Sequence, residues 1–120
     1  MRAYSEVTRL TRAAAHYFES TDLVLAPVTQ VLPFPVELDW PHEVAGTPMA
    51  DYLDWMRAAW LFTPLGVPAL SLPAGYAGRL PVGAQLLAGP RRDVGLLELA
   101  QAIEALLAVP PVAPTATSAR

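Results

Sequence analysis

The apolar positions of this chain change period along its length, and each change marks an element. Val7, Leu10, Ala14, Tyr17 and Phe18 recur at i, i+3, i+7, i+10 and i+11, one face of a helix over residues 5–19. Arg9, Arg12 and His16 fall mostly off that face, Ser5 is placed to cap its start, and Glu6 suits the positive end of the helix dipole. Leu23 to Ala26 is a short apolar run between Asp22 and Pro27, which predicts a buried strand. Residues 27–47 then lose all helical period and carry Pro27, Pro33, Pro35 and Pro41. They predict an irregular excursion of about 20 residues, a length that compact domains seldom carry without a functional reason.

The period of a helix returns in "TPMADYLDWMRAAW". Met49, Leu53, Met56 and Trp60 make the stripe, with Thr47 as N-cap and Pro48 at the first helical position, where a missing N–H costs nothing. Residues 61–67 are a Pro/Gly break. Ala69 to Leu72 and Val82 to Ala88 predict two more strands, with Gly75 and Gly78 between them to permit a turn. Both runs are apolar at nearly every position, so both sheet faces should be covered, as in an α/β layer structure. Gly83 inside the third strand points to a bulge or a close backbone approach. Asp93 is placed to cap a last helix to about Ala108, striped by Leu96, Leu99, Ala100, Ile103, Leu106 and Leu107. The Pro/Ala/Thr-rich tail at 109–120 reads as disordered.

Composition changes the picture in one respect. The chain of 120 residues is 53% hydrophobic and 16% charged, against about 45–50% and about 25% in ordinary domains. That excess of residues seeking burial points to covering surface outside this chain, either another subunit or the rest of a larger fold. A net charge of -3 with no basic run argues against nucleic acid as a partner. The N-terminus lacks a signal-peptide core, and prolines interrupt the greasiest region, so no membrane span is expected and a cytoplasmic location is the default. There is no cysteine and no lysine, which removes thiolate chemistry, Schiff-base lysines and Ser–Lys catalysis from this chain.

The remaining chemistry-bearing residues form no recognisable site. Ser71 has no nucleophile elbow around it and reads as core packing on a buried strand. Glu37, Asp39, His42 and Glu43 suit a metal by type but not by spacing, so a solvated acidic loop is the reading, and no metal or cofactor is expected. His16 reads as a surface histidine and the Arg91–Arg92 pair as solvated. Trp40, Trp55 and Trp60 are candidates to line a pocket, although helical spacing places Trp60 in the core.

Five blocks in order carry a resemblance: "DLVLAPVTQVLPFPVE", "AGTPMADYLDWM", "GVPALSLPAG", "LPVGAQLL" and "LLELAQAIEAL". Each is weak alone. Together, over about residues 5–107, the chain resembles the C-terminal end of the amidase signature family. The resemblance implies an α/β fold: a C-terminal piece, in residues 1–108, of the amidase-type mixed β-sheet sandwiched between helices, with about three helices and three strands here. It implies amide C–N bond hydrolysis by a Ser–cis-Ser–Lys triad. The matching segments of that triad lie upstream of the region resembled, so no catalytic residue maps onto this chain. The chain alone is expected to be inactive. The implied partner is a missing N-terminal amidase segment or an upstream-encoded chain, with a small amide substrate bound only in the complete enzyme. The resemblance further implies that Pro27, Val28, Thr29, Thr63 and Gly66 edge the substrate pocket. Two departures stand out. Thr63-Pro64-Leu65-Gly66 replaces a family N-L-T-G, and Arg79 stands where a glycine is usual, which implies a reshaped turn. The alternative reading is a non-enzymatic remnant or interaction module without activity.

Overall fold

A computed structural model describes residues 2–110; the predicted tail at 109–120 falls, apart from its first two positions, outside the described residues. A long helix α1 (Arg2–Tyr17) leads into a short strand β1 (Val24–Pro27). An irregular segment follows, holding a two-residue-per-arm hairpin, β2 (Glu43–Val44) and β3 (Thr47–Pro48). Two single helical turns, α2 (Tyr52–Trp55) and α3 (Arg57–Trp60), and a 3-10 turn at Thr63–Leu65 lead to the strands β4 (Ala69–Ala77) and β5 (Leu80–Leu87). Helix α4 (Asp93–Leu107) closes the order.

The main sheet has the order β1-β5-β4, and both pairings are antiparallel. Its centre is β5, which sets Leu86 opposite Leu25 on one side and Leu70 on the other. Side chains alternate across a strand, so Leu70, Leu72, Leu86 and Ala88 share one face. Against it α4 sets Leu96 and Ala100, with the half-buried Ile103 beside them, an i, i+4, i+7 stripe. Leu87 and Val24 point to the opposite face, where α1 brings Leu10, Ala14 and Phe18. The result is helix, sheet, helix. Leu86 and Leu87 are fully enclosed, and each such side chain contributes about 1.5–3 kcal/mol of hydrophobic stabilisation.

The enclosure stops at these layers. Nine hydrophobic residues are buried among the described residues, while eighteen large ones are exposed, including Leu25, Leu97 and Leu106. Helix α4 shows why: it is apolar on most of its circumference but meets the sheet along one stripe. A helix apolar all round is built to be covered on more than one side. The excess of apolar residues in the sequence thus becomes visible as uncovered surface on α4 and the sheet.

The long predicted helix over residues 47–60 is corrected. Thr47 and Pro48 pair with Val44 and Glu43 as β3, turning through Ala45 and Gly46, both at positive φ. The helix starts four residues later, with the Asp51 carboxylate accepting from the Leu53 and Asp54 amides as N-cap. It then breaks at Met56. The break rotates the stripe: Trp55 becomes buried, while Leu53 and Trp60 are exposed, reversing the expectation that Trp60 is core. Ser5 does not cap α1, which begins at Arg2; its hydroxyl donates instead to the Arg2 carbonyl within the helix. Asp93 lies in the first turn of α4 behind Arg92 and makes no capping bond. Ser71 is exposed rather than core, because its face of β4 extends beyond the cover that α1 provides.

The turn between β4 and β5 is the two-residue pair Gly78–Arg79, with Gly78 at φ 65° in the first central position, the arrangement of a type II′ hairpin turn. Arg79 is accommodated because the glycine one residue earlier takes the positive φ. Gly75 marks a bulge: the register slips between Pro73 and Gly75, leaving Ala74 as the extra residue. Among the described residues, no helix is long and apolar enough to cross a membrane.

Candidate functional site

Where β1 ends, the chain turns through residues 27–34 and leaves a hollow of about 460 Å³, closed on other sides by Trp55 and by residues 81–83 of β5. The size lies within the ~300–1,000 Å³ of small-molecule sites. Its floor depends on Gly83. A Cβ at that position would stand 2.9 Å from Val28 Cγ1, 3.4 Å from the Leu72 carbonyl oxygen and 3.6 Å from Ser71 Oγ. The glycine expected to mark a close approach therefore does so: Val28 packs directly over the β5 backbone.

Aromatic rings form the opposite wall. Trp55 meets Phe34 edge-to-face with centroids 5.4 Å apart and Tyr52 likewise at 5.6 Å, an arrangement favoured by the ring quadrupoles. The Trp55 indole N–H is buried and has no hydrogen-bond partner among the described residues, and neither has Gln85 Oε1 in the centre of the sheet.

The loop is fastened to the broken helix by one side chain. In an uninterrupted α-helix the Ala58 N–H would donate to the Asp54 carbonyl. Here Gln30 comes between them. Its Nε2 donates to the Asp54 carbonyl at 3.1 Å, and its Oε1 accepts from the Ala58 N–H at 3.0 Å. The carboxamide thus satisfies both groups that the break at Met56 releases. Beside it, the Asp54 carboxylate accepts from the Arg57 guanidinium at 2.7 Å and from the Ala50 N–H at 3.0 Å. Arg57 chiefly, with the Ala50 amide, holds the Asp54 carboxyl below its ordinary range. Thr29 donates its hydroxyl to the Val31 carbonyl at 2.7 Å and so shapes the turn.

Gln30→Ala is expected to destabilise the chain by about 1 kcal/mol, the net worth of hydrogen bonds that water can partly replace. Gln30→Glu keeps the acceptor for Ala58 but loses the donor, so it should fall between the two. Amide exchange at Ala58 and urea unfolding measure both. Exchange at Ala58 unchanged in Gln30→Ala would contradict the bridging role.

The residues singled out in the sequence separate into two places. Pro27, Val28 and Thr29 line the hollow. Thr63 and Gly66 do not; they open and cap the 3-10 turn that packs on α1, where the Thr11 hydroxyl lies 3.4 Å from the Pro64 carbonyl and Gly66 stands against Thr11. Gly66 caps that turn in the left-handed conformation. Trp55 joins the wall, whereas Trp40 meets His42 with centroids 4.3 Å apart and planes tilted by 59°, and Asp39 lies 3.4 Å from the His42 ring. Phe34, Trp55 and residues 81–83 come together through a register and a helix break that no local pattern announces.

Comparison with known proteins places this geometry. Residues 1–97 match the sequence model of the Amidase family. The chain is 39% identical over 103 residues to a glutamyl-tRNA(Gln) amidotransferase subunit of Thermus thermophilus, covering 86% of this chain and 20% of that protein. To the corresponding subunit of Moorella thermoacetica it is 35% identical over 104 residues, covering 87% and 20%. Among solved structures it superposes on an amidase with a TM-score of 0.74 at 25% identity, over 88% of this chain and 24% of that one. A bacterial aryl acylamidase of the amidase signature family gives a TM-score of 0.71 at 24% identity, over 82% and 21%. The chain spans about one fifth of the length of the curated relatives it matches. With its helix–sheet–helix layers, its uncovered apolar surface and this match over most of its length, the chain belongs to the amidase family and is a fragment of that fold.

Proposed function

We propose that this chain is the C-terminal portion of an amide-hydrolysing enzyme and supplies scaffold and one wall of the substrate site, while polypeptide outside this sequence supplies the catalytic groups. The observation that carries the reading is the absence of lysine from all 120 residues, set beside a hollow whose walls hold no carboxylate, histidine or serine. Amide cleavage of this kind needs a base-activated hydroxyl to attack the carbonyl and aimed N–H donors to stabilise the oxyanion. The Ser–cis-Ser–Lys arrangement implied by the family resemblance meets that need, and it requires a lysine.

The role of the residues here follows from what they shape. Val28, Phe34 and Trp55 exclude water from one side of the site, and Gln30 fixes the loop that carries them. Pro27, Val28 and Thr29 are the pocket edge. Thr63 and Gly66 support that edge indirectly, through the packing of α1. The exposed apolar flank of α4 is where the remainder of the enzyme gives cover. Purified chain is expected to hydrolyse no amide. Co-expressed with the catalytic part of an amidase of this family, it should restore amide hydrolysis. Hydrolysis by residues 1–120 alone would overturn the reading. Failure of every co-expressed pair to show activity would favour a module without enzymatic role.

A further inference from the structure

A single residue separates the two helical turns α2 and α3. Met56 stands between them at φ -102° and ψ 20°, and a turn of its backbone toward about -63° and -42° would join them. Much of a joined helix over residues 52–60 is already in place. The Asp51 carboxylate caps its start. The Asp54–Arg57 pair has the i, i+3 spacing of helix neighbours. The Leu61 N–H donates to the Arg57 carbonyl as in an α-helix.

Two side chains hold the break open. In a continuous helix the Leu53 carbonyl would accept from the Arg57 N–H, and the Asp54 carbonyl from the Ala58 N–H. Instead the Trp60 indole N–H donates to the Leu53 carbonyl at 2.8 Å, and the Gln30 carboxamide takes the Asp54 carbonyl and the Ala58 N–H. Both carbonyls and the Ala58 N–H therefore have a partner in either form, so hydrogen bonding alone does not choose between them.

Packing makes the two forms exclusive. Trp55 lies two residues from Leu53, about 200° around a helix. A joined helix thus turns Trp55 and the Leu53, Met56, Trp60 stripe to opposite sides. In the broken form Trp55 is buried, with Phe34 and Tyr52 edge-to-face against it, while Leu53 and Trp60 are exposed. That form also encloses the Trp55 indole N–H without an acceptor among the described residues, a cost that the joined form removes by turning the ring out.

We infer that residues 52–60 are a two-state element. With Gln30 in place the helix is broken and Trp55 seats in the wall of the hollow; with Gln30 released the helix rejoins, Trp55 withdraws and the hollow opens. Because Gln30 belongs to the 27–34 loop, loop and helix break move as one unit. Anything that packs against Trp55 and Phe34 favours the broken form. The switch is a property of this chain alone, so its test is independent of whether the chain is the scaffold of an enzyme.

Backbone NMR on the purified chain provides that test. In Gln30→Ala the Met56 Cα resonance should move into the helical range and the Ala58 amide should exchange more slowly than in the parent. The Trp55 indole N–H should exchange at least about tenfold faster as it leaves its enclosure. Adding Met56→Gly, which disfavours a helix interior at the joining residue, should restore fast exchange at Ala58. Parent-like or coil shifts at Met56 in Gln30→Ala overturn the inference, because the released helix has then not rejoined. If Gln30→Ala does not fold, relaxation dispersion on the parent decides. Exchange of Met56, Ala58 and both indoles at one common rate, toward a helical Met56 shift, upholds the switch, and its absence overturns it.

Discussion

Leu86→Ala is expected to unfold the isolated chain or bring it close to unfolding. Leu86 lies on the central strand, is wholly inaccessible, and sits between Leu25 and Leu70 on the face that α4 covers. Removing a buried leucine to Cβ costs about 2–5 kcal/mol, from lost transfer energy and from the cavity left behind. Ordinary domains have about 5–15 kcal/mol in total, and one that leaves so much apolar surface uncovered stands toward the lower end. Thermal unfolding followed by circular dichroism should therefore show the midpoint falling by on the order of 10–20 °C. Leu97→Ala is the control. Leu97 is 58% exposed on α4, so its truncation should change the isolated chain by less than about 0.5 kcal/mol. Under the proposed assembly with a catalytic part, which would bury that flank, its effect should appear only in the complex. A Leu86→Ala midpoint within a degree or two of the parent would mean that the layered core does not hold the chain together.

The second large effect is expected at Gly83, and it is steric. The backbone there is not in the left-handed region, so a side chain meets no conformational penalty, and what it meets is Val28 at 2.9 Å and the Leu72 carbonyl at 3.4 Å. Gly83→Leu would fill the floor of the hollow and push the 27–34 loop outward, at a cost of about 1–3 kcal/mol for overpacking. The Val28 amide resonance should shift, reporting the displaced loop. Gly83→Ala is milder and identifies the cause. Combined with Val28→Ala, which removes the obstructing methyls, it should be less destabilising than the sum of the two single changes. Strict additivity in that cycle would place the strain elsewhere.

The elements whose stabilising partners lie close in sequence are legible in it. Helix α4 follows from the Leu96, Ala100, Ile103 stripe, and β4 and β5 from apolar runs joined by a glycine turn. Strand β1 is legible from the run Leu23 to Ala26 but forms one residue later, at Val24–Pro27, with Pro27 as its last paired position rather than its boundary. The region 47–60 misleads for a physical reason: its pattern is helical, but Gln30, more than twenty residues away, occupies the hydrogen-bonding groups on which continuity depends. Thr47 and Pro48 carry the chemistry of a helix start and are recruited instead by Val44 and Glu43 across a turn. Ser71 reads as buried because its neighbours are apolar, yet the strand face it occupies is one that this chain does not cover. For the hollow, Pro27 to Thr29 are legible through a family resemblance, and Trp55 as one of three tryptophans suited to line a pocket. Phe34 and residues 81–83 are not, and neither is the choice of Trp55 over Trp40 and Trp60, since their meeting depends on the β1–β5 register and on the break at Met56.

The placement of β5 between two strands of unequal sequence distance sets an order of assembly. Strand β4 and helix α4 are its immediate neighbours along the chain, and the core they build with it, from Leu72 to Ala100, closes with short loops. Strand β1 reaches β5 across more than fifty residues, most of them irregular, and loop closure of that length slows a contact that adds only four residue pairs. The C-terminal half is therefore expected to form first and to act as the template, with β1, the hollow's loop and α1 added afterwards. The apolar wall at the mouth of β1 is thus the last part of the chain to take shape and the first to loosen.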